Sequence, residues 1–444
     1  MKTKLILLIT LLLYLVSCKN SDSDSTVLEI SKSNFANVSA AGETLTVDIN
    51  SSSSWAISGF NQWCTSDKQT GLNSGKITLT IAANNGQKER SATLTITAEN
   101  ITRTIKITQQ AITLSQSDLA TFHFQIPVVF HVLYKDKNST TQYVKEERIN
   151  KILAQCNKFY QNAFGGNSSN IGVEFVLATE DPEGNILTEP GIDRVLWDSP
   201  EMDCVKFMSS NNNKKYLNLL WDTDRYINIM LYTFTQAETG GTILGISQFP
   251  YTIQPDELEG LNQLNFLPTH SSLTYPHCVS INNRFINSQF SEEGKLYSSV
   301  DVAVTLAHEL GHYLGLYHAF SQSSDGNDDT CKDTDYCTDT PTYDREAYMQ
   351  YMENYIAEKG GASQIEWDDY MKLMERRDCL ALTTTTPNNV MDYEISWCNR
   401  FTPQQKERMR YVLSHSPLIP GPKVKRTITR VATTPTPLPM RIIQ

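Results

Sequence analysis

Residues 308–318 read His-Glu-Leu-Gly-His-Tyr-Leu-Gly-Leu-Tyr-His, and no other stretch restricts so tightly what this chain can fold into. Three of the eight histidines fall inside it. On a helix, His308 and His312 share one face, one turn apart. Glu309 is rotated off that face, too far to bind the same ion yet near enough to reach a water held by it. Gly315 accepts a left-handed backbone without steric cost, so the chain can leave the helix there and bring back His318. Three neutral imidazoles leave the fourth position of a tetrahedral zinc ion open, the arrangement of a catalytic site rather than a structural one.

The chemistry uses each part. Zinc so held acidifies its water and polarises a carbonyl. Glu309 accepts the water proton and delivers it to a leaving amine, which is peptide hydrolysis without a covalent intermediate. The spacing H-E-x-x-H-x-x-G-x-x-H is the elongated zinc signature of the metzincin metallopeptidases. The bland alternative is an amphipathic helix whose histidines are core or surface residues. A metzincin also needs a methionine turn further along, and Asn388-Asn389-Val390-Met391-Asp392-Tyr393 supplies one. Met391 is expected as an apolar floor under the histidines. Tyr393 is expected to hydrogen-bond the tetrahedral intermediate.

The order of His308–His318, Asp339-Thr340-Pro341, Asn389–Tyr393, Cys398 and Phe401-Thr402-Pro403 resembles the pappalysin family of metzincins. The resemblance implies an α/β (α+β) zincin-like catalytic domain acting on protein or peptide substrates. It implies crosslinks involving Cys331, Cys379 and Cys398, whereas Cys337 is harder to align; no pairing among the four is assigned. It also implies a calcium site at Asp335 and Thr340, within the acidic stretch that starts Asp325-Gly326-Asn327-Asp328-Asp329. A solvated, self-repelling loop is the alternative there.

At 444 residues the chain expects two to three domains. The net charge of −11, without a basic stripe interleaved with aromatics, argues against nucleic-acid binding. Lys2 and Lys4 precede an apolar run, Leu5 to Val16, too short for a comfortable membrane span. Leu15-Val16-Ser17-Cys18 resembles a bacterial lipobox. Residues 1–17 are thus expected as a lipoprotein signal peptide, Cys18 as the lipidated residue and 18–27 as an acidic, Ser-rich tether. Lipid anchoring at an outer membrane or cell surface follows, with membrane contact only through the anchor. The alternative is a plain secretory signal with an incidental cysteine. Eight further cysteines, an even count in an exported chain, are consistent with disulfides. Apart from the lipidated Cys18, Cys64 is the one cysteine that precedes the catalytic region. It could cap the zinc in principle, but its place inside a β module argues against that.

Residues 28–110 alternate at period two in 45–49, 77–81, 92–96 and 104–108, with Asn84-Asn85-Gly86 as a turn. That pattern predicts a small antiparallel, immunoglobulin-like β-sandwich. Ser54–Ser58, Gln62-Trp63, Gly71–Gly75, Ile77–Asn84 and Ile107-Thr108-Gln109 resemble a BACON domain, a module of Bacteroidetes proteins. The resemblance implies glycan or glycoprotein contact, which needs exposed aromatics. A spacer holding the peptidase off the membrane, with Trp55 and Trp63 as core or edge residues, is the other reading.

Residues 111–416 are expected as the catalytic domain. Strands are predicted at 125–134, 172–178, 226–232, 242–247 and 278–281, a helix at 144–164 and the zinc helix at 297–316. The strand 242–247 is expected as the cleft edge, pairing with an extended substrate. His131, His270, His277 and His415 lack ligand spacing and are read as structural or surface residues. Residues 343–378 read as a helical insertion that shapes the cleft. Thr402 and Pro403 read as N-cap and first residue of a closing helix. The tail 417–444, rich in Pro, Thr and basic residues, reads as flexible. Two rival functions remain: a surface adhesin with an inactive peptidase-like domain, and a glycan-targeting protein confined to glycoprotein substrates.

Overall fold

The computed structural model describes residues 26–443 except 87, 116, 200, 237–241, 289–300, 322–330, 394–395 and 426–429. The leader with Cys18, the tether up to residue 25 and the loop Asp325–Asp329 lie outside the described residues. The chain folds as two compact units. One takes the residues up to Thr108 apart from Ser39–Ala41 and Ala83–Arg90, and the other takes the rest.

The N-terminal unit has two sheets. One orders Leu28–Ile30, Glu43–Ser51, Gly75–Ile81 and Cys64–Ser66; the other orders Asn34–Val38, Ile101–Gln109, Arg90–Ala98, Ser54–Ser58 and Thr70–Leu72. Glu43–Ile49 pairs antiparallel with Gly75–Ile81. The alternation has its expected consequence: Leu45, Val47 and Ile49 are buried while Thr44 and Thr46 are exposed. Inward residues of both sheets, among them Val47, Leu79, Leu94 and Ile107, form one apolar core. Trp55 is buried in it, and its Nε1 donates to the Asn73 carbonyl at 2.9 Å. Trp63 is partly buried against the same core, and Cys64 is sealed inside it.

The second unit is built on a sheet ordered Val173–Leu177, Phe124–Tyr134, Ile227–Phe234, Val279–Asn282, Gly245–Gln248 and Ile442–Ile443. The first four strands are parallel. Gly245–Gln248 runs antiparallel to both its neighbours. Ile227–Phe234 is buried along its whole length, as its unbroken apolar run requires. The helix Glu146–Tyr160 turns Ile149, Ile152, Leu153, Cys156 and Phe159 inward. Its last residue anchors the helix Val302–Tyr313, because the Tyr160 hydroxyl donates to the Ala307 carbonyl at 2.8 Å. The closing helix Pro403–His415 starts with Thr402 in a capping box and Pro403 in its first turn. Among the described residues, no helix is long and apolar enough to cross a membrane.

Three expectations are corrected. The helix carrying the histidines begins at Val302, where the Asp301 side chain caps the Ala303 amide at 2.9 Å; residues 297–300 lie outside the described residues. The strand expected at 242–247 spans Gly245–Gln248, and its outer edge is partly taken by Ile442–Ile443. The described tail residues, 417–425 and 430–443, are docked rather than flexible. Lys423–Val424 pairs with Thr113–Leu114, the Ala432 amide donates to the Leu267 carbonyl at 2.9 Å, and the Thr436 amide to the Ser272 carbonyl at 3.0 Å. Leu418 and Leu438 enter an apolar cluster with Tyr251 and Tyr275, and Met440 and Ile442 pack on it. Pro435, Pro437 and Pro439 keep φ fixed between these anchors, which lowers the entropy lost on docking.

Two histidines without ligand spacing are structural. His131 is buried between Asp193 Oδ2 and Asn228 Oδ1, each at 2.8 Å. His277 is fully buried with Nδ1 3.0 Å from the Tyr313 hydroxyl, which itself donates to the Leu418 carbonyl at 3.1 Å. Nδ1 therefore carries the proton, and Nε2 is a buried lone pair without a partner. Burial pushes this imidazole down to about 4. In the unfolded chain it titrates near ~6.5. The unfolded state thus binds a proton that the fold refuses. The stability contribution is complete above the unfolded value and is lost as pH falls towards the folded one. In urea titrations, His277→Phe should lose about 2 kcal/mol less stability than the parent between pH 7 and pH 5, at ~1.4 kcal/mol per pH unit. Equal losses would show that His277 does not carry this pH dependence.

Candidate functional site

Every residue of the helix Val302–Tyr313 is buried. Leu314 ends it, and Gly315 follows at φ +88°, where a side chain would be strained and would meet Val412 Cγ2 at 2.9 Å. The Arg408 Nε donates to the Gly315 carbonyl at 2.5 Å, fixing the turn. The chain then returns His318 to the helix face. One ligand atom from each of His308, His312 and His318 falls within 4.8 Å of the others, the one such group of metal-binding side chains among the described residues.

The outer nitrogens of two imidazoles are committed. His308 Nδ1 donates to the Val390 carbonyl at 2.8 Å, and His312 Nδ1 to the Leu316 carbonyl at 2.7 Å. Their Nε2 atoms therefore carry inward lone pairs. His308 Nε2 has no partner, and His312 Nε2 lies 3.2 Å from His318 Nε2. Burial pushes His308 down to about 4, and burial with help from its two neighbours holds His312 well below the ordinary imidazole value. Neutral imidazoles with converging lone pairs fit a small divalent cation. Glu309 is buried, its Oε2 has no partner, and burial raises its carboxyl well above the ordinary value.

The methionine turn lies beneath. Met391 is fully buried, and a Cβ added at Gly311 would stand 2.5 Å from its Sδ, so the thioether packs directly under the helix between the histidines. Asn389 Oδ1 accepts the Met391 amide at 2.9 Å. The Tyr393 ring lies 5.3 Å from His308 and 4.4 Å from His318, with the Arg345 guanidinium 5.2 Å above it.

A cleft of about 370 Å³ opens on this cluster, lined by Thr242–Gly245, Val304, Thr305, His308, Glu309, Arg345, Asp392 and Tyr393. Sequence reasoning missed Gly245, Arg345 and Asp392. Gly245 left a readable signal, an isolated glycine inside an apolar strand. A Cβ there would sit 2.6 Å from Glu309 Oε1, so only glycine lets the strand lie on this carboxylate. Arg345 opens the insertion helix Arg345–Glu358, which is followed by Trp367–Leu373. Asp392 accepts from the Tyr343 hydroxyl at 2.5 Å and from the Tyr393 amide at 2.8 Å.

Cys331 and Cys379 form a disulfide across the insertion. Cys337 and Cys398 are buried free thiols, which corrects their inclusion among the crosslinked residues. Burial raises both thiols, so neither is a ready nucleophile for exchange. Asp335 is buried; its Oδ2 accepts from the Thr340 hydroxyl at 2.7 Å and its Oδ1 from the Cys337 amide at 2.8 Å.

Fold and site together define the class, a metallopeptidase domain. Residues 281–414 match the M43 peptidase family, described as "Pregnancy-associated plasma protein-A", and residues 53–110 match the BACON family, described as "Putative binding domain, N-terminal". Residues 281–414 thus resemble the pappalysin-type metallopeptidases, and residues 53–110 resemble a BACON domain. A xyloglucan-specific endo-beta-1,4-glucanase of Bacteroides ovatus is 33% identical over 99 residues, 22% of this chain and 20% of the relative. An extracellular metalloprotease of Arthroderma benhamiae is 30% identical over 106 residues, 24% of this chain and 29% of the relative. Each match thus spans under a third of the curated relative's own length. Mature mirolysin of Tannerella forsythia, solved with a cleaved peptide, is 24% identical over 66% of this chain and 93% of that one, at a TM-score of 0.41.

Met391→Ala should cost about 2–5 kcal/mol, the usual range for emptying a fully buried methionine site. Urea unfolding checks it. A loss under ~1 kcal/mol would mean that the floor of the site collapses freely, unlike a close-packed core.

Proposed function

We propose that the chain is an exported, zinc-dependent metalloendopeptidase that hydrolyses peptide bonds of extracellular proteins. The carrying observation is the convergence of three buried imidazoles beside a buried glutamate, all facing one cleft. His308, His312 and His318 would hold zinc, the first two through Nε2 because their Nδ1 atoms are bound to carbonyls. Zinc bound there supplies an activated water and polarises the scissile carbonyl. Glu309, buried beside the imidazoles and facing the cleft, would take a proton from that water and pass it to the leaving amine. Tyr393, held beside His308 and His318, would donate its hydroxyl to the developing oxyanion. Met391 packs beneath as the floor, and the stretch leading into Gly245 offers backbone groups to an extended peptide.

Export is supported by the leader pattern and by the Cys331–Cys379 disulfide. Cys18 is proposed as the lipid anchor to the outer membrane. The two-sheet N-terminal unit is proposed as immunoglobulin-like. With Trp55 buried and Trp63 partly so, the spacer role is favoured over glycan stacking. Calcium at Asp335 and Thr340 is a narrower part of the proposal. Burial lifts the Asp335 carboxyl to about 8, and a bound cation would offset that cost. If calcium binds, millimolar Ca²⁺ raises the melting temperature of the parent and not of Asp335→Asn. Equal shifts would remove the ion from this site.

The test of the peptidase is cleavage of a peptide library by the chain lacking residues 1–18. Glu309→Gln should lower kcat by about 10²–10⁴-fold with zinc content unchanged. Gly245→Ala, whose Cβ would crowd Glu309, should lower it by about 10²-fold. No cleavage by the folded, zinc-loaded chain, even after removal of residues 19–110 or the tail, would favour a binding protein instead.

A further inference from the structure

The outer edge of the strand Gly245–Gln248 is shared between the cleft and the chain's own tail. Ile442 pairs antiparallel with Gln248 and Ile443 with Ser247, and the Phe249 amide donates to the Arg441 carbonyl at 2.9 Å. Arg441 pins this segment. Its guanidinium lies 4.6 Å from the Tyr317 ring centre and 5.5 Å from that of Phe249. Its Nη1 donates to the Gly260 carbonyl at 3.1 Å and to the Tyr317 hydroxyl. Tyr317 immediately precedes His318, so the tail is fastened to the turn that returns the third histidine.

Direction gives the contact its meaning. The ladder steps from Gln248–Ile442 to Ser247–Ile443, and the next edge positions are Ile246 and Gly245. Gly245 lies on Glu309. The tail therefore runs along the strand towards the catalytic carboxylate, and it shows that this edge takes an antiparallel partner. A peptide lying the same way would reach Glu309 with its upstream residues over Ser247 and Gln248. An edge offers a single row of amides and carbonyls, so tail and substrate cannot both use those positions. Two paired residues make a weak ladder by themselves, so Arg441 carries much of the hold.

We infer that Arg441–Ile443 is a built-in occupant of the peptide groove. Resting on the peptidase reading of the cleft, it excludes substrate residues upstream of Ile246. The resting chain accepts peptides with a short upstream side, and extended polypeptides enter only after the segment is withdrawn or removed.

The test uses a fluorescein-labelled peptide copying residues 436–443 and, as extended substrate, denatured casein. In the Glu309→Gln background, a chain lacking residues 437–444 should bind the peptide at least about tenfold tighter than the full chain, since a groove occupied most of the time lowers apparent affinity by its free fraction. In the active background, the same truncation should lower the casein KM and leave unchanged the kcat on library peptides with two upstream residues. Arg441→Ala in the full chain should move both readouts the same way, and it decides the matter if melting shows the truncated chain unfolded. Equal peptide affinity or an unchanged casein KM in a folded variant overturns the inference. If no chain cleaves anything, the peptidase reading falls, and the binding arm alone still decides whether the tail fills the groove.

Discussion

Burying three imidazoles and a carboxylate around a single helix end is the constraint on which the second unit depends. His308, Glu309, His312 and His318 are at most 6% exposed. At that depth the charged form of each group is costly unless something compensates it. The fold meets this by committing the outer nitrogens of His308 and His312 to carbonyls, and by bringing those carbonyls from two different segments. Val390 comes from the methionine turn, Leu316 from the loop beyond Gly315. Met391 must then fit under Gly311, and Arg408 must reach across from the closing helix to hold Gly315. The closing helix, the methionine turn and the motif helix are thus parts of one support for a few nitrogen lone pairs.

The parts legible in the sequence are those decided by neighbours along the chain. The helix ending at Tyr313 and the reversal at Gly315 follow from local spacing and backbone freedom. So do the alternating strands of residues 28–110 and the start of the closing helix at Thr402-Pro403. What stayed hidden depends on distant partners. Gly245 matters because residue 309 lies under it, and Arg345 because Tyr393 lies under it. The tail misled for the same reason. Its prolines and threonines describe a segment unable to form its own core, whereas Leu418, Leu438 and Met440 complete a core built by residues 140 or more positions earlier. The cysteines divide likewise: count and compartment predict bridging, but only geometry separates Cys331–Cys379 from the buried thiols Cys337 and Cys398.

The insertion is more than an appendage of the cleft. Arg376, 1% exposed, lies 3.5 Å over the Tyr348 ring and 5.3 Å from that of Tyr343, while its Nη1 donates to the Leu373 carbonyl at 2.9 Å. Tyr343 in turn holds Asp392, the residue between Met391 and Tyr393. The two ends of the insertion are therefore rooted in the methionine turn, and the Cys331–Cys379 bridge closes over them. Its middle, from Gln350 to Asp368, is largely exposed or half-exposed. Length and composition can drift there without disturbing the floor beneath the histidines, while changes at Tyr343, Tyr348 or Arg376 reach the histidine cluster by a short path. In a lineage of such chains, the span between the roots would be free to diversify into different cleft walls, with the roots themselves held still.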